Sequence, residues 1–532
     1  MKRHHFLSTL LPILLLYSES LCNTRLASVF SDHMVLQRNM PCPVWGWDEP
    51  GQEVTVTFAS QQHRAIADAE GAWRLSLDEM PASAAPRRIT VEGSSSITIE
   101  NVLVGDVWIC GGQSNMAFSL NKMWNGDIAS LGANNPDLRF LRVPPKGTQE
   151  LKKDFAGHWV ETHPETGAHF SAVGYTFADH LQRIIGVPVG IIDNSWGGSA
   201  VEAWISRSSL DSDARFTEFM EDCARHEAYL QTQAAQTDFE EKLQQWKAAR
   251  DLAVSESRPI PREPRPPKSW LAGNRRPANA YGGSLHPIIG YAISGVIWYQ
   301  GESNASRAAS YYDLFPFMIE EWRAKWAQGD FPFYWVQLPS MNAEVENPGE
   351  SNWGELREAQ TLAQKLPLTG QAVTIDLGEG NDIHPRDKFP VGMRLLRLAL
   401  HEVYGYTNLA YRSPEYLKHD IDGSRISIEF DCFGGTIHTI DTNEVQGFAI
   451  CGEDRVWHWA KARITGDTMI EVWSESVTQP IAVRYAWANN PVCNLITDKG
   501  LPVTATYTDA SGDASAGVAH VIIEFIPPNT GE

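Results

Sequence analysis

Ser114, His384 and Asp382 have the residue types that acyl transfer uses: a hydroxyl, an imidazole and a carboxylate. Ser114 stands in Gly112-Gln113-Ser114-Asn115, directly after the apolar run 102–110. An apolar run ending in glycines reads as a buried strand entering a tight turn that lifts one small side chain clear of the sheet. A serine held there becomes a nucleophile when a base lies within hydrogen-bond reach. His384 and Asp382 lie far downstream, in a Gly/Asn/Asp-rich loop after the apolar stretch 373–377, which reads as a second short strand. Imidazole titrates near pH 6.5, so at neutral pH it can accept the serine proton. A neighbouring carboxylate fixes its tautomer and stabilises the imidazolium. After Pro385, the spacing of Val391, Leu395, Leu398 and Ala399 predicts a helix. Taken one segment at a time, other readings stay open: Ser114 as a turn residue, His384 as a loop histidine, Asp382 as a helix cap.

Two more segments follow the same plan. Residues 191–204 run from an apolar strand into Gly197-Gly198, and residues 295–305 run from a strand into Gln300-Gly301-Glu302-Ser303-Asn304. In open α/β sheets, ligands bind beyond the carboxyl ends of the strands. Ester cleavage also needs donors for a developing oxyanion, and glycine N–H groups and a side-chain amide are suitable.

Gly-Gln-Ser-Asn-Met, Trp-Gly-Gly-Ser, Trp-Tyr-Gln-Gly-Glu-Ser-Asn and Asp-Ile-His-Pro occur in this order. With them the chain resembles the sialate O-acetylesterase family, a branch of the SGNH hydrolases similar to carbohydrate esterase family six. The resemblance runs from about residue 26 to residue 502, including Phe-Ser-Asp-His-Met-Val-Leu-Gln-Arg at 30–38 and Ala-Val-Arg-Tyr-Ala-Trp at 482–487. It implies an α/β fold: an SGNH-hydrolase-like doubly wound parallel sheet with helices on both faces, flanked by N- and C-terminal β-domains. It also implies Ser114 as nucleophile, His384 as general base and acid, and Asp382 as its acidic partner. Many SGNH enzymes place that acid three residues before the histidine, where this chain has Asn381, so Asp376, Glu379 and Glu302 are rivals. The implied oxyanion donors are the Ser114 N–H, the Gly198 N–H and the Gln300 side chain. Gln113, Asn115, Glu302 and Asn304 are expected to bind substrate or brace the site. Neither a metal nor an organic cofactor is expected.

The elements that must position these residues divide the chain. Residues 1–22 combine a basic start, an apolar stretch at 6–17 and a small polar run, the pattern of a secretory signal peptide. The chain is therefore expected to be exported, to the periplasm or the medium, with no membrane span. Short alternating runs make 23–100 a β-sandwich-like domain. Residues 101–410 alternate strands and helices as a parallel sheet requires. Within them, 206–280 is a helical insertion whose 216–253 stretch is charged and Gln/Ala-rich, followed by a Pro/Arg-rich extended piece at 255–268. It reads as a lid, a partner contact or a solvated arm. Residues 411–532 return to short β runs, with a hairpin loop expected at 509–517.

The net charge of −21 disfavours nucleic acid and offers no general attraction for anionic sugars, so a carboxylate clamp would have to be local arginine or lysine. Seven cysteines do not make a disulfide scaffold. Cys432 and Cys451 could pair if their strands are neighbours. Trp124 and Trp204 lie near the motifs and are candidate sugar-stacking faces. The expected function is removal of acetyl esters from sialic acids by a Ser-His-Asp acyl-enzyme route. The alternatives are an acetylxylan or other polysaccharide esterase and, in a different class, a non-catalytic carbohydrate-binding protein.

Overall fold

The computed structural model describes residues 23–508. The expected leader at 1–22 and the hairpin loop at 509–517 lie outside the described residues. At the centre is a sheet of seven strands: β1 (Ser96–Gly112), β2 (Asn135–Arg142), β3 (Trp159–Thr162), β4 (Val189–Ser195), β5 (Gly295–Tyr299), β6 (Phe333–Val336) and β7 (Thr369–Ala372). Their spatial order is β3-β2-β4-β1-β5-β6-β7, and every pairing is parallel except β3 against β2. Parallel strands need crossovers, and five helices carry or flank them: α1 (Ser114–Ala117), α2 (Ala172–Ile185), α3 (Tyr311–Trp326), α4 (Asn352–Leu362) and α5 (Phe389–Glu402).

Side chains along a strand alternate between faces, and β1 shows it directly. Trp108 and Cys110 pack with α2 and α5, while Val107 and Ile109 join the cluster that holds α3 and α4. Both faces of the sheet are therefore covered, which explains the unbroken apolar reading of β1, β4 and β5.

β1 also belongs to the N-terminal β region. Its first half pairs antiparallel with Ser83–Glu92 and its second half enters the parallel sheet, so one strand crosses residue 101 without interruption. Strands Glu53–Phe58 and Gln61–Ile66 extend that side, and Glu53–Phe58 buries every second residue. In the C-terminal region a four-stranded sheet is built on Arg425–Asp431 and another on Phe448–Cys451. Cys432 and Cys451 are both free thiols, so the pairing considered from the sequence is absent; the strands nearest them belong to separate sheets.

The apolar stretch 373–377 is not itself a strand. β7 ends at Ala372, and Val373 and Ile375 are buried against the C-terminal β cluster instead of the central sheet. Their hydrophobicity reflects a tertiary contact. The insertion contains a short helix, Arg207–Ser212, and two longer ones, Thr217–Tyr229 and Gln233–Ser255, then an irregular segment and a short 3₁₀ turn at Pro267–Ala272. No helix among the described residues is long and apolar enough to cross a membrane.

Candidate active site

The turn after β1 is built for glycine. Gly112 has φ +126°, and a Cβ there would lie 2.2 Å from the Tyr299 carbonyl oxygen of β5. A Cβ on Gly111 would sit 2.9 Å from the Trp298 ring. Any side chain at Gly112 would thus meet both strained backbone and the neighbouring strand. The turn is pinned by Gln113 N–H donating to Tyr299 O (2.8 Å) and Trp196 N–H donating to Gly112 O (2.9 Å). Gln113 is buried, and its Oε1 accepts from the Ser303 N–H at 3.3 Å, tying this loop to the one after β5. Ser114 then opens α1.

His384 Nε2 lies 2.8 Å from Ser114 Oγ, across 270 residues of chain. Its Nδ1 lies 3.6 Å from Asp382 Oδ1, and the same oxygen accepts the His384 backbone N–H at 2.9 Å. The rival carboxylates are engaged elsewhere. Asp376 is held by Arg394, Glu379 by Arg386, and Glu302 accepts from Asn115. Of these four, Asp382 is the one within ion-pair distance of the ring. Burial pushes the His384 pKa below its usual 6.5, with Lys388 and Lys122 acting in the same direction against Asp382. The imidazole is thus held in the neutral form that can accept a proton.

Among the described residues, neither the Ser114 N–H nor the Gly198 N–H has an acceptor. Gly198 has φ +70°, and a Cβ on its neighbour Gly197 would lie 3.5 Å from Ser114 Cβ, so the two glycines face the nucleophile. Gln300 is a correction to the sequence reading. It is fully buried, and its amide nitrogen donates to Ser199 O (3.1 Å) and Asn304 Oδ1 (2.8 Å), while its Oε1 accepts from Tyr311 Oη (2.9 Å). Both amide hydrogens are used inside the protein, leaving none for an oxyanion. Asn304 braces the same layer: it also accepts the Val201 N–H and donates to Glu202. Asn274, which carries no sequence signal, lines the cavity over Ser114 and gives one amide hydrogen to Gly197 O at 2.6 Å. A primary amide has a second hydrogen to offer.

Asn115 joins three loops. Its amide nitrogen donates to Glu302 Oε1 (2.5 Å) and to Ile383 O (2.9 Å), and its Oδ1 accepts from Lys388 Nζ (2.5 Å). A backbone carbonyl such as Ile383 O can only accept, so the amide nitrogen must face it and the amide has one possible orientation. Lys388 is fully buried, with Nζ 5.2 Å above the Phe118 ring and 5.1 Å above the Tyr299 ring. Burial brings its pKa down to about 7, opposed first by Glu302. Lys388→Met keeps most of the stem and removes the cation that depresses His384. The acid limb of kcat/KM is therefore expected to move to higher pH. A limb that stays in place in a folded Lys388→Met enzyme would show that Lys388 does not act on the histidine.

Trp204 is fully buried, donates to Ser199 Oγ and packs edge-on to Trp298, so it is core and not a sugar face. Trp124 is exposed but does not line the cavity over Ser114; Trp270 of the insertion does.

A serine–imidazole pair at the carboxyl ends of parallel strands, with unspent backbone donors beside it, defines a carboxylic-ester hydrolase. Comparison with known proteins narrows the class. The family model described as a carbohydrate esterase, sialic acid-specific acetylesterase, matches residues 276–395. The chain is 28% identical over 523 residues to a sialate O-acetylesterase of Mus musculus, spanning 88% of this chain and 90% of that one. It is 26% identical to the Homo sapiens sialate O-acetylesterase, spanning 91% and 92%. A crystal structure of a carbohydrate acetylesterase from Xanthomonas citri superposes with a TM-score of 0.77 at 35% identity, covering 92% of this chain and all of that one. The chain belongs to the sialate O-acetylesterase family.

Proposed function

We propose that the chain is a carbohydrate O-acetylesterase that removes acetyl groups from O-acetylated sialic acids through a Ser114 acetyl-enzyme. The observation that carries this reading is the 2.8 Å contact between Ser114 Oγ and His384 Nε2. Ser114 Oγ attacks the acetyl carbonyl carbon as its proton passes to Nε2, and the carbonyl π pair moves onto oxygen. The Ser114 and Gly198 N–H groups receive that oxyanion, and the second amide hydrogen of Asn274 takes the place first read for Gln300. His384, now imidazolium, protonates the sugar oxygen as the acyl C–O bond breaks. Water deprotonated by His384 then attacks the acetyl carbon, releasing acetate and restoring Ser114. Asp382 orients the ring and stabilises its charged form. The strand order 135–142, 189–195, 96–112, 295–299, 333–336, 369–372 supports reading the core as an SGNH-type doubly wound sheet.

Export rests on the residue pattern of 1–22. The test of substrate is acetate release from O-acetylated sialic acid beside acetylated xylo-oligosaccharide at matched concentration. At least a tenfold higher kcat/KM on the sialic acid is expected. A decisive preference for xylan would leave the chemistry standing and remove the substrate.

A further inference from the structure

We infer that the insertion supplies an anion subsite, formed by Arg262, Arg265 and Arg275, that recognises the carboxylate of an acidic sugar while Ser114 attacks its acetyl ester. The inference rests on the acetylesterase reading above and names what selects the substrate. A cavity of about 490 Å³ lies over the nucleophile, and its lining includes Ser114, His384 and these three arginines. The chain as a whole carries a net charge of −21, so three cations gathered at one mouth run against its general surface. Arginine is suited to the task because its planar fork matches a carboxylate bidentately. Arg265 makes no ion pair among the described residues, and a neutral acetylated sugar would give it no anionic partner in the cavity.

The segment that carries these arginines is held in place. Trp246 Nε1, in the helix Gln233–Ser255, donates to Pro261 O at 2.7 Å. Arg276 pairs with Glu227 of the helix Thr217–Tyr229 at 2.9 and 3.0 Å, and also donates to Leu271 O. The Asn279 amide donates to Leu271 O and Gly273 O. Residues 261–267 read Pro-Arg-Glu-Pro-Arg-Pro-Pro, and four prolines restrict that backbone before any ligand arrives. A restricted segment loses less entropy when its side chains engage a ligand. Two carboxylates share the cavity wall. Glu302 lies behind the nucleophile on Asn115, and Glu263 stands among the arginines, where it opposes an anion.

The experiment compares O-acetylated N-acetylneuraminic acid with its C1 methyl ester, which is neutral, and with 4-nitrophenyl acetate. Acetate release is measured for wild type, Arg265→Gln, Arg275→Gln, the double variant and Glu263→Gln. Loss of a charge-assisted contact predicts a fall of about 10- to 100-fold in kcat/KM on the free acid for the double variant, mostly through KM. The methyl ester and 4-nitrophenyl acetate should change less than about threefold, and wild type should itself prefer the acid. Glu263→Gln should lower KM for the acid, and added salt should narrow the gap between acid and methyl ester. Equal losses on acid and methyl ester, or no loss on the acid, would overturn the subsite while leaving the esterase intact. A wild-type enzyme that cleaves 4-nitrophenyl acetate and acetylated xylan but neither sialic acid form would overturn the sialic acid reading itself.

Discussion

Ser114→Ala is expected to lower kcat by roughly 10⁴-fold or more on any acetyl ester, with little change in thermal stability. The side chain is small, opens α1 and makes its polar contact to His384 Nε2, so its removal leaves no large cavity. The glycine turn that presents it is held by backbone bonds from Gln113 and Trp196 that do not involve the hydroxyl. The variant should still bind substrate, because the cavity walls and the insertion are untouched. Wild type should show an acetyl-enzyme by mass spectrometry after rapid acid quenching, and the variant should show none. A soluble, folded Ser114→Ala protein with ordinary turnover would remove the nucleophile from the scheme.

His384→Ala is expected to cost about as much as Ser114→Ala, and the double variant should be no worse than either single one, since the pair acts as a unit. Its second readout is the pH profile. The base must be neutral, so wild-type kcat/KM is present above the His384 pKa and falls as pH drops through it. Burial holds that pKa below 6.5, so activity should persist into mildly acidic solution before the limb begins. In His384→Ala the residual rate should lose this limb. A variant that keeps the wild-type limb would assign the titration to another group, and Lys388, brought to about 7, is the neighbour to test next.

Much of the site could be read in the chain because its pieces are local. Gly112 and Gly198 stand at or just after strand ends, each specified within a few residues by a positive φ that favours glycine. The choice of Asp382 over Asp376, Glu379 and Glu302 could not be made that way. It follows from where Arg394, Arg386 and Asn115 fall in space. Gln300 looked like an oxyanion donor because it ends a strand in company with glycine. Its amide hydrogens are instead taken by Ser199 and Asn304, and nothing in Gln-Gly-Glu-Ser-Asn records which way the side chain turns. The same limit explains 373–377, whose burial against the C-terminal β cluster imitates a strand's hydrophobicity, and Trp204, whose nearness in sequence to Gly198 placed it beside a ligand that it does not face.

By itself, the order of residues pointed to the glycine turns at Gly112 and Gly198, to which hydroxyl and which imidazole could act together, and to a covered parallel sheet in the middle of the chain. Those properties arise from backbone sterics and alternating burial over short spans. Tertiary structure alone decided that Lys388 lies buried behind Asn115, and that Asn274 and an arginine-bearing insertion line the cavity over the nucleophile. Those contacts join parts of the chain that share no local pattern, and only the packing of whole elements against one another brings them within hydrogen-bond reach.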